Sequence, residues 1–182
     1  MNKVLRKGYI MESLVCSFFG HTKIEITDRV KQKVKNCVEN LIVAENVKIF
    51  LFGSKSNFND LCHLIVTELK KEYPDIKRIY YTCKSESCTL EEDREKKEKI
   101  YSSLTNQNIR LLGFEEEFEH KTKNCAGKAS YIERNKAMID DSVFCVFYYD
   151  SNYKPPTNTN SGTELAYKYA KNNSKKIINI FE

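Results

Sequence analysis

Three times along this chain an apolar, strand-like run ends in a small-residue turn and leads into a helix-like stretch. The first is Leu14-Val15-Cys16-Ser17-Phe18-Phe19, closing on Gly20-His21. The second is Val47-Lys48-Ile49-Phe50-Leu51-Phe52, closing on Gly53-Ser54. The third is Val143-Phe144-Cys145-Val146-Phe147-Tyr148-Tyr149, closing on Asp150, followed by a loop and Ser161-Gly162-Thr163. Strand, glycine turn and helix start together make an anion site, because unbonded backbone N–H groups and the helix dipole converge there. On one parallel sheet all three turns open at the same edge. That predicts a nucleotide-sized ligand.

A chain of 182 residues with this pattern reads as one domain with a real core. The net charge of +5 is mild, and Lys and Arg are scattered, often beside Glu, without a basic block. Such a surface suits a phosphate-bearing small molecule and does not argue for nucleic acid. No apolar run approaches the ~20 residues that span a bilayer, so no membrane association is expected. The basic start, Met1-Asn2-Lys3-Val4-Leu5-Arg6-Lys7-Gly8, lacks the apolar stretch of a signal peptide, and the expected location is cytoplasmic. Seven irregularly spaced Cys do not form a disulfide framework. Cys16, Cys37, Cys62 and Cys145 lie in apolar runs and read as small hydrophobes.

The expected organisation is an extension over 1–12 and a single domain over 13–182. Strands are expected at 13–19, 47–52, 76–82, 143–149 and 176–181, with a short one within 109–118. Thr27 caps a helix over 28–43 with the apolar stripe Val30, Val34, Cys37, Val38, Leu41, Ile42. Asn57 is the expected cap of a second helix, whose core face is Phe58, Leu61, Cys62, Ile65, Val66, Leu69, with Pro74 as its stop. Within segment 84–108, Leu90–Ser103 is nearly all alternating charge, which favours an exposed helix; a lid or a partner surface is the alternative reading of the segment. Further helices are expected over 128–140 and 162–172. Strands alternating with helices specify an α/β, Rossmann-like doubly wound, mostly parallel sheet with helices on both faces.

Ser161, Gly162, Thr163 and Glu164 form the leading candidate site: Gly162 admits close approach, and the hydroxyls donate to phosphate, although Ser/Thr also simply cap helices. Gly20 and Gly53 with Ser54 are weaker, since glycine after a strand often serves only the turn. His21 suits a phosphate, an adenine edge or a cap. Asp60 lies in a helix first turn, where the dipole favours a carboxylate in any case. In the helix over 128–140 the apolar face reads Tyr131, Ile132, Met138, Ile139, with Asn135 inside it. A polar residue on a buried face must be hydrogen-bonded, to protein or ligand. Arg134 and Lys128 supply positive charge there; the alternative is a structural Asn and a surface Arg. Cys83-x4-Cys88 and His120-x4-Cys125 have a spacing zinc tolerates but lack its tight knuckle, so no metal and no cofactor are expected.

In order along the chain, these motifs resemble a known family. Cys16-Ser17-Phe18-Phe19-Gly20-His21, then Phe50-Leu51-Phe52-Gly53-Ser54 with Phe58-Asn59-Asp60-Leu61-Cys62, look like its first two signatures. Gly127-Lys128-Ala129-Ser130-Tyr131-Ile132-Glu133-Arg134-Asn135 with Met138-Ile139-Asp140 looks like its third. Phe144-Cys145-Val146-Phe147-Tyr148-Tyr149-Asp150 and Ser161-Gly162-Thr163, leading to Ala166-Tyr167, complete the set. The chain is similar to the YpsA-like branch of the SLOG (Smf/DprA–LOG) superfamily over 13–181. The resemblance implies a Rossmann-like fold with a nucleotide-derived ligand at the carboxyl edge, Tyr149 among its lining residues, and a second copy of the chain as partner in a homodimer. It implies either a sensor or regulator, in stress or phage defence, or a phosphoribohydrolase cleaving an N-glycosidic bond; a third alternative is an interaction protein with a vestigial pocket.

Departures from that pattern shift the expectation. The LOG hydrolases carry Pro-Gly-Gly-x-Gly-Thr and a Glu three residues after the Thr. Here the loop is Asn160-Ser161-Gly162-Thr163 and the matching position is Ala166. Glu164 is near in sequence but points elsewhere on a helix. Arg134 does match their Arg. Thr22 follows His21 where Arg is expected, and Val143 stands where Asp is expected. The expectation is therefore a ligand binder, with hydrolysis through Glu164 or Asp60 as the alternative.

Overall fold

The computed structural model describes residues 14–53, 56–83, 114–120, 127–155 and 161–181. Its elements, in chain order, are β1 (Leu14–Gly20), α1 (Asp28–Val43), β2 (Val47–Phe52), α2 (Asn57–Leu69), β3 (Lys77–Cys83), β4 (Glu116–His120), α3 (Gly127–Asp140), β5 (Phe144–Tyr148), α4 (Gly162–Asn172) and β6 (Lys176–Asn179). The strands make one sheet in the order β4-β3-β2-β1-β5-β6. Every neighbouring pair is parallel. The Rossmann-like α/β expectation is met, with a sheet that is wholly parallel among the described residues. The extension over 1–12 and the charged segment 84–108 lie outside them.

Parallel strands covered on both faces must be apolar at odd and even positions alike. On one face, Cys16 and Phe18, Phe50 and Phe52, and Phe144 and Val146 pack with Val34, Val38 and Leu41 of α1 and Phe58, Cys62, Val66 and Leu69 of α2. On the other, Val15 and Phe19, Ile49 and Leu51, Cys145 and Phe147, and Ile79 and Tyr81 pack with Met138 and Ile139 of α3 and Ala166 and Ala170 of α4. The alternation along each strand thus supplies two cores from one sheet.

Thr27 caps α1 as expected, its side chain accepting from the Val30 amide. The expected cap of α2 is corrected: Ser56 is the N-cap, its hydroxyl accepting from the Asn59 amide at 3.1 Å. Asn57 instead bonds the Ile24 backbone at both of its amide atoms, at 2.9 and 2.8 Å, and pins the β1–α1 loop. The short strand expected within 109–118 begins later, at Glu116. Phe114 and Glu115 precede it with separate tasks. Phe114 stacks on the buried His63 at 4.2 Å. Glu115 joins the buried Arg78 at the start of β3.

Arg78 is buried with its charge matched. Nη2 donates to Glu115 Oε1 at 2.7 Å, Nε and the backbone amide donate to Oε2, and Nη1 donates to Thr67 Oγ1 at 2.7 Å. Burial works to raise the Glu115 pKa, but the bonds and charge of Arg78, aided by Lys70, outweigh it and bring it down to about 2. A folded-state pKa below the unfolded value means that this stabilisation is present above about pH 4.5 and is lost as pH falls toward 2. Glu115→Gln is therefore expected to flatten the fall in urea midpoint that wild type shows across that window, while lowering stability at neutral pH.

Candidate functional site

The chain runs outward from β1 through β2, β3 and β4, then returns to lay β5 on the other side of β1. A reversal of this kind leaves a crevice at the carboxyl ends of the two central strands. β5, β1 and β2 are consecutive in the sheet. Their three turns therefore lie within two strand spacings, about 10 Å. The sequence expectation of a shared edge is met.

The three glycines at that edge have different reasons to be glycine. A Cβ on Gly20 would stand 2.6 Å from Phe58 Cβ, so α2 sits directly on the end of β1. A Cβ on Gly53 would stand 2.6 Å from the Tyr81 carbonyl oxygen and 3.3 Å from Arg134 Cδ. Both glycines are required by internal packing. Among the described residues nothing lies within 4 Å of such a Cβ on Gly162, the first residue of α4.

Ser161 caps α4, its Oγ accepting from the Thr163 amide at 3.2 Å. The same oxygen lies 3.4 Å from Nδ1 of His21. His21 is only 3% exposed. Its Nε2 accepts from the Asp150 amide at 3.1 Å, and its ring stacks on Tyr153 at 3.8 Å. Burial pulls the imidazole pKa down, against the Asp150 carboxylate. Tyr149 lies 6.0 Å from the same ring and stacks on Tyr167 at 4.6 Å. The Tyr149 backbone is held at both groups by the Asn179 side chain of β6. His21, Tyr149, Ser161, Gly162 and Thr163 are thus brought together at the β1–β5 crevice.

Arg134 corrects the reading of α3. The residue on the buried side of this helix is Arg134, at 2% exposure, with Ser130, Ala137 and Met138, whereas Asn135 is half-buried. Tyr131 and Ile132, expected in the apolar face, are also only half-buried. The stem of Arg134 lies against Gly53, which places it at the end of β2, and its guanidinium carbon lies 5.2 Å from the Tyr131 ring centre. A guanidinium keeps its charge at any physiological pH, so burying it favours an anion nearby.

The remaining candidates separate. Lys128 is exposed at the start of α3, and Asp60 is half-buried in the first turn of α2. The Glu164 carboxylate bonds Lys168 Nζ at 2.6 Å, one turn along its own helix. Ala166 is buried against the sheet. Ser54 lies outside the described residues, as do Cys88 and Cys125. Sequence reasoning missed Tyr153 and Asn179. Neither stands in a recognisable motif, and both act through contacts with distant strands.

The family model described as YspA SLOG family (YpsA) matches residues 7–181. A comparison with curated proteins finds no match. No helix among the described residues is long and apolar enough to cross a membrane.

The glycine geometry separates packing from access in a measurable way. Gly53→Ala is expected to cost ~1–3 kcal/mol, because the overpacked neighbour is a backbone carbonyl. Gly162→Ala is expected to stay within about 0.5 kcal/mol of wild type. Urea denaturation at unchanged m-value reads both.

Proposed function

Because the chain belongs to the YspA SLOG family, we propose that it binds a nucleotide or nucleotide-derived ligand at the carboxyl edge of its sheet. The phosphates lie on the start of α4, at Ser161, Gly162 and Thr163, and extend toward Arg134 at the end of β2. The observation that carries this reading is Arg134, a permanent cation buried at the sheet edge, about two strand spacings from a capped helix start where no described residue crowds Gly162. A pyrophosphate spanning that gap would meet the helix start and its dipole at one end and a guanidinium at the other. Gly20 and Gly53 shape the floor, and Tyr149 and Asn135 stand beside it. Lys128 adds charge at the rim.

Ligand binding is favoured over N-glycosidic hydrolysis. Hydrolysis requires a carboxylate facing the ribose carbon to stabilise positive charge or position water. Position 166 offers a buried methyl group, and the Glu164 carboxylate is engaged by Lys168. The protein acts on this reading as a sensor whose output follows occupancy of the crevice.

Denaturing the purified protein and analysing the supernatant by mass spectrometry is expected to release a nucleotide. Calorimetry with ADP-ribose and AMP is expected to show saturable binding without free base appearing. Arg134→Met, which keeps the stem and removes the charge, is expected to weaken binding about ten- to hundredfold, on the scale of ~1.5–3 kcal/mol for a charged hydrogen bond. Its fold is checked by circular dichroism. Absence of both a co-purified nucleotide and saturable binding overturns the reading; free base formed from AMP and lost in Arg134→Met replaces it with the hydrolase.

A further inference from the structure

Three hydrogen bonds meet at His21 and Ser161, and their directions determine one another. The Asp150 amide can only donate, so Nε2 at 3.1 Å accepts. A neutral imidazole that accepts at Nε2 carries its proton on Nδ1. Nδ1 faces Ser161 Oγ at 3.4 Å, so its N–H donates to that oxygen. The Thr163 amide donates to the same oxygen at 3.2 Å. Both lone pairs of Ser161 Oγ are then engaged, and its O–H hydrogen is directed to a third acceptor.

The imidazole also joins three separate parts of the chain. It follows the end of β1, it contacts the first turn of α4 through Ser161, and it holds the loop after β5. That loop is itself a tight turn. The Asn152 amide donates to Asp150 Oδ1 at 2.8 Å, and the Tyr153 amide donates to the Asp150 carbonyl at 3.2 Å. This brings the Tyr153 ring onto His21 at 3.8 Å with 24° between the planes.

We propose that His21 is a positioning residue: in its neutral Nδ1–H form it locks the loop after β5 and makes the Ser161 hydroxyl an obligatory donor to a phosphate oxygen of the ligand, and protonation at Nε2 releases the loop while the Nδ1–H bond to Ser161 persists. The part concerning Ser161 rests on the nucleotide-binding reading above; the joint itself does not.

Protonated Nε2–H would face the Asp150 N–H, donor against donor, and that bond is lost. Among the described residues, the groups facing His21 come from three places. From the loop after β5 come the Asp150 carboxylate, which favours the imidazolium, and the Tyr153 ring. From the end of β5 comes Tyr149 at 6.0 Å. The start of α4 contributes uncharged Ser161, and its nearest carboxylate, Glu164, is bonded to Lys168. Burial outweighs Asp150 and lowers the imidazole pKa below 6.5. The stabilisation from the joint is therefore full above pH 6.5 and declines as pH falls through the lowered folded-state value.

The test follows the His21 ring nitrogens by NMR in the ligand-free protein, with hydrogen exchange at the Asp150 amide, between about pH 8 and 5. ADP-ribose is titrated over the same range into wild type, His21→Gln and Ser161→Ala. Its pyrophosphate has no ionisation there, unlike a phosphate monoester with a second pKa of about 6. The expected result is an Nδ1–H tautomer at the upper end and faster Asp150 exchange on protonation. Wild-type affinity for ADP-ribose is expected to fall as pH drops through the imidazole pKa and the loop after β5 is released. His21→Gln, which offers an acceptor to Asp150 but does not titrate, is expected to have a flat profile, and Ser161→Ala to bind more weakly throughout. An Nε2–H tautomer, or the same pH profile in wild type and His21→Gln, overturns the proposal. If wild type binds no ADP-ribose at any pH while the tautomer and exchange behave as stated, the joint stands and the phosphate role of Ser161 falls.

Discussion

The pairing of β1 with β5 is the constraint on which the carboxyl edge depends. These two strands are far apart in sequence, yet they lie side by side and parallel, with Cys16 opposite Phe144 and Gly20 opposite Tyr148. Between them the chain has travelled out to β4 and back. The register brings the end of β1 level with the end of β5, so His21 meets Asp150 across the crevice. A slip of one residue would turn every side chain of β5 to the opposite face. Phe144 and Val146 would leave the layer they share with Phe18, and the hydrogen bonds at the edge would lose their geometry. The two hydrophobic layers thus set the alignment of the polar groups at the end of the sheet.

Polar burial divides between the two ends of the sheet. At the amino end of β3, Arg78 is buried with a carboxylate that accepts at both oxygens, and the arrangement is self-contained. At the carboxyl end, Arg134 is buried beside Gly53, with the Tyr131 ring near its guanidinium. Buried cations have a large desolvation cost unless matched. The first site accounts for its charge by a structural role, holding Glu115 and so the start of β4. The second lies where the three turns converge, its Nη2 donating to Asn135 Oδ1 at 3.5 Å, and the proposed ligand phosphate would be an anionic partner there.

Much of the fold was legible because its signals are local. Thr27, the stripe of α1 and the core face of α2 follow from 3.6-residue spacing, and β2 follows from an apolar run broken only by Lys48. The cap of α2 was misplaced by one residue because Ser56 and Asn57 are both good caps; the tie to Ile24 decided between them. The face of α3 was legible only in part: Met138 and Ile139 are buried as expected, but Ser130, Arg134 and Ala137 share the buried side, where hydrophobicity alone points to the neighbouring Tyr131 and Ile132. A charged residue in a buried stripe leaves no periodic signal.

By itself the sequence determined the alternation of strand and helix, the two-sided burial of the strands and the three glycine-marked turns. Each of these follows from spacing within one segment, where chemistry and periodicity coincide. Only the tertiary structure decided what the turns are for. It showed Gly20 and Gly53 occupied by packing and Gly162 uncrowded among the described residues, because whether a missing Cβ makes room for protein or for solvent depends on what another segment places there. It likewise joined His21 to Asp150 and Ser161, residues separated by more than a hundred positions, through hydrogen-bond directions that no linear spacing encodes.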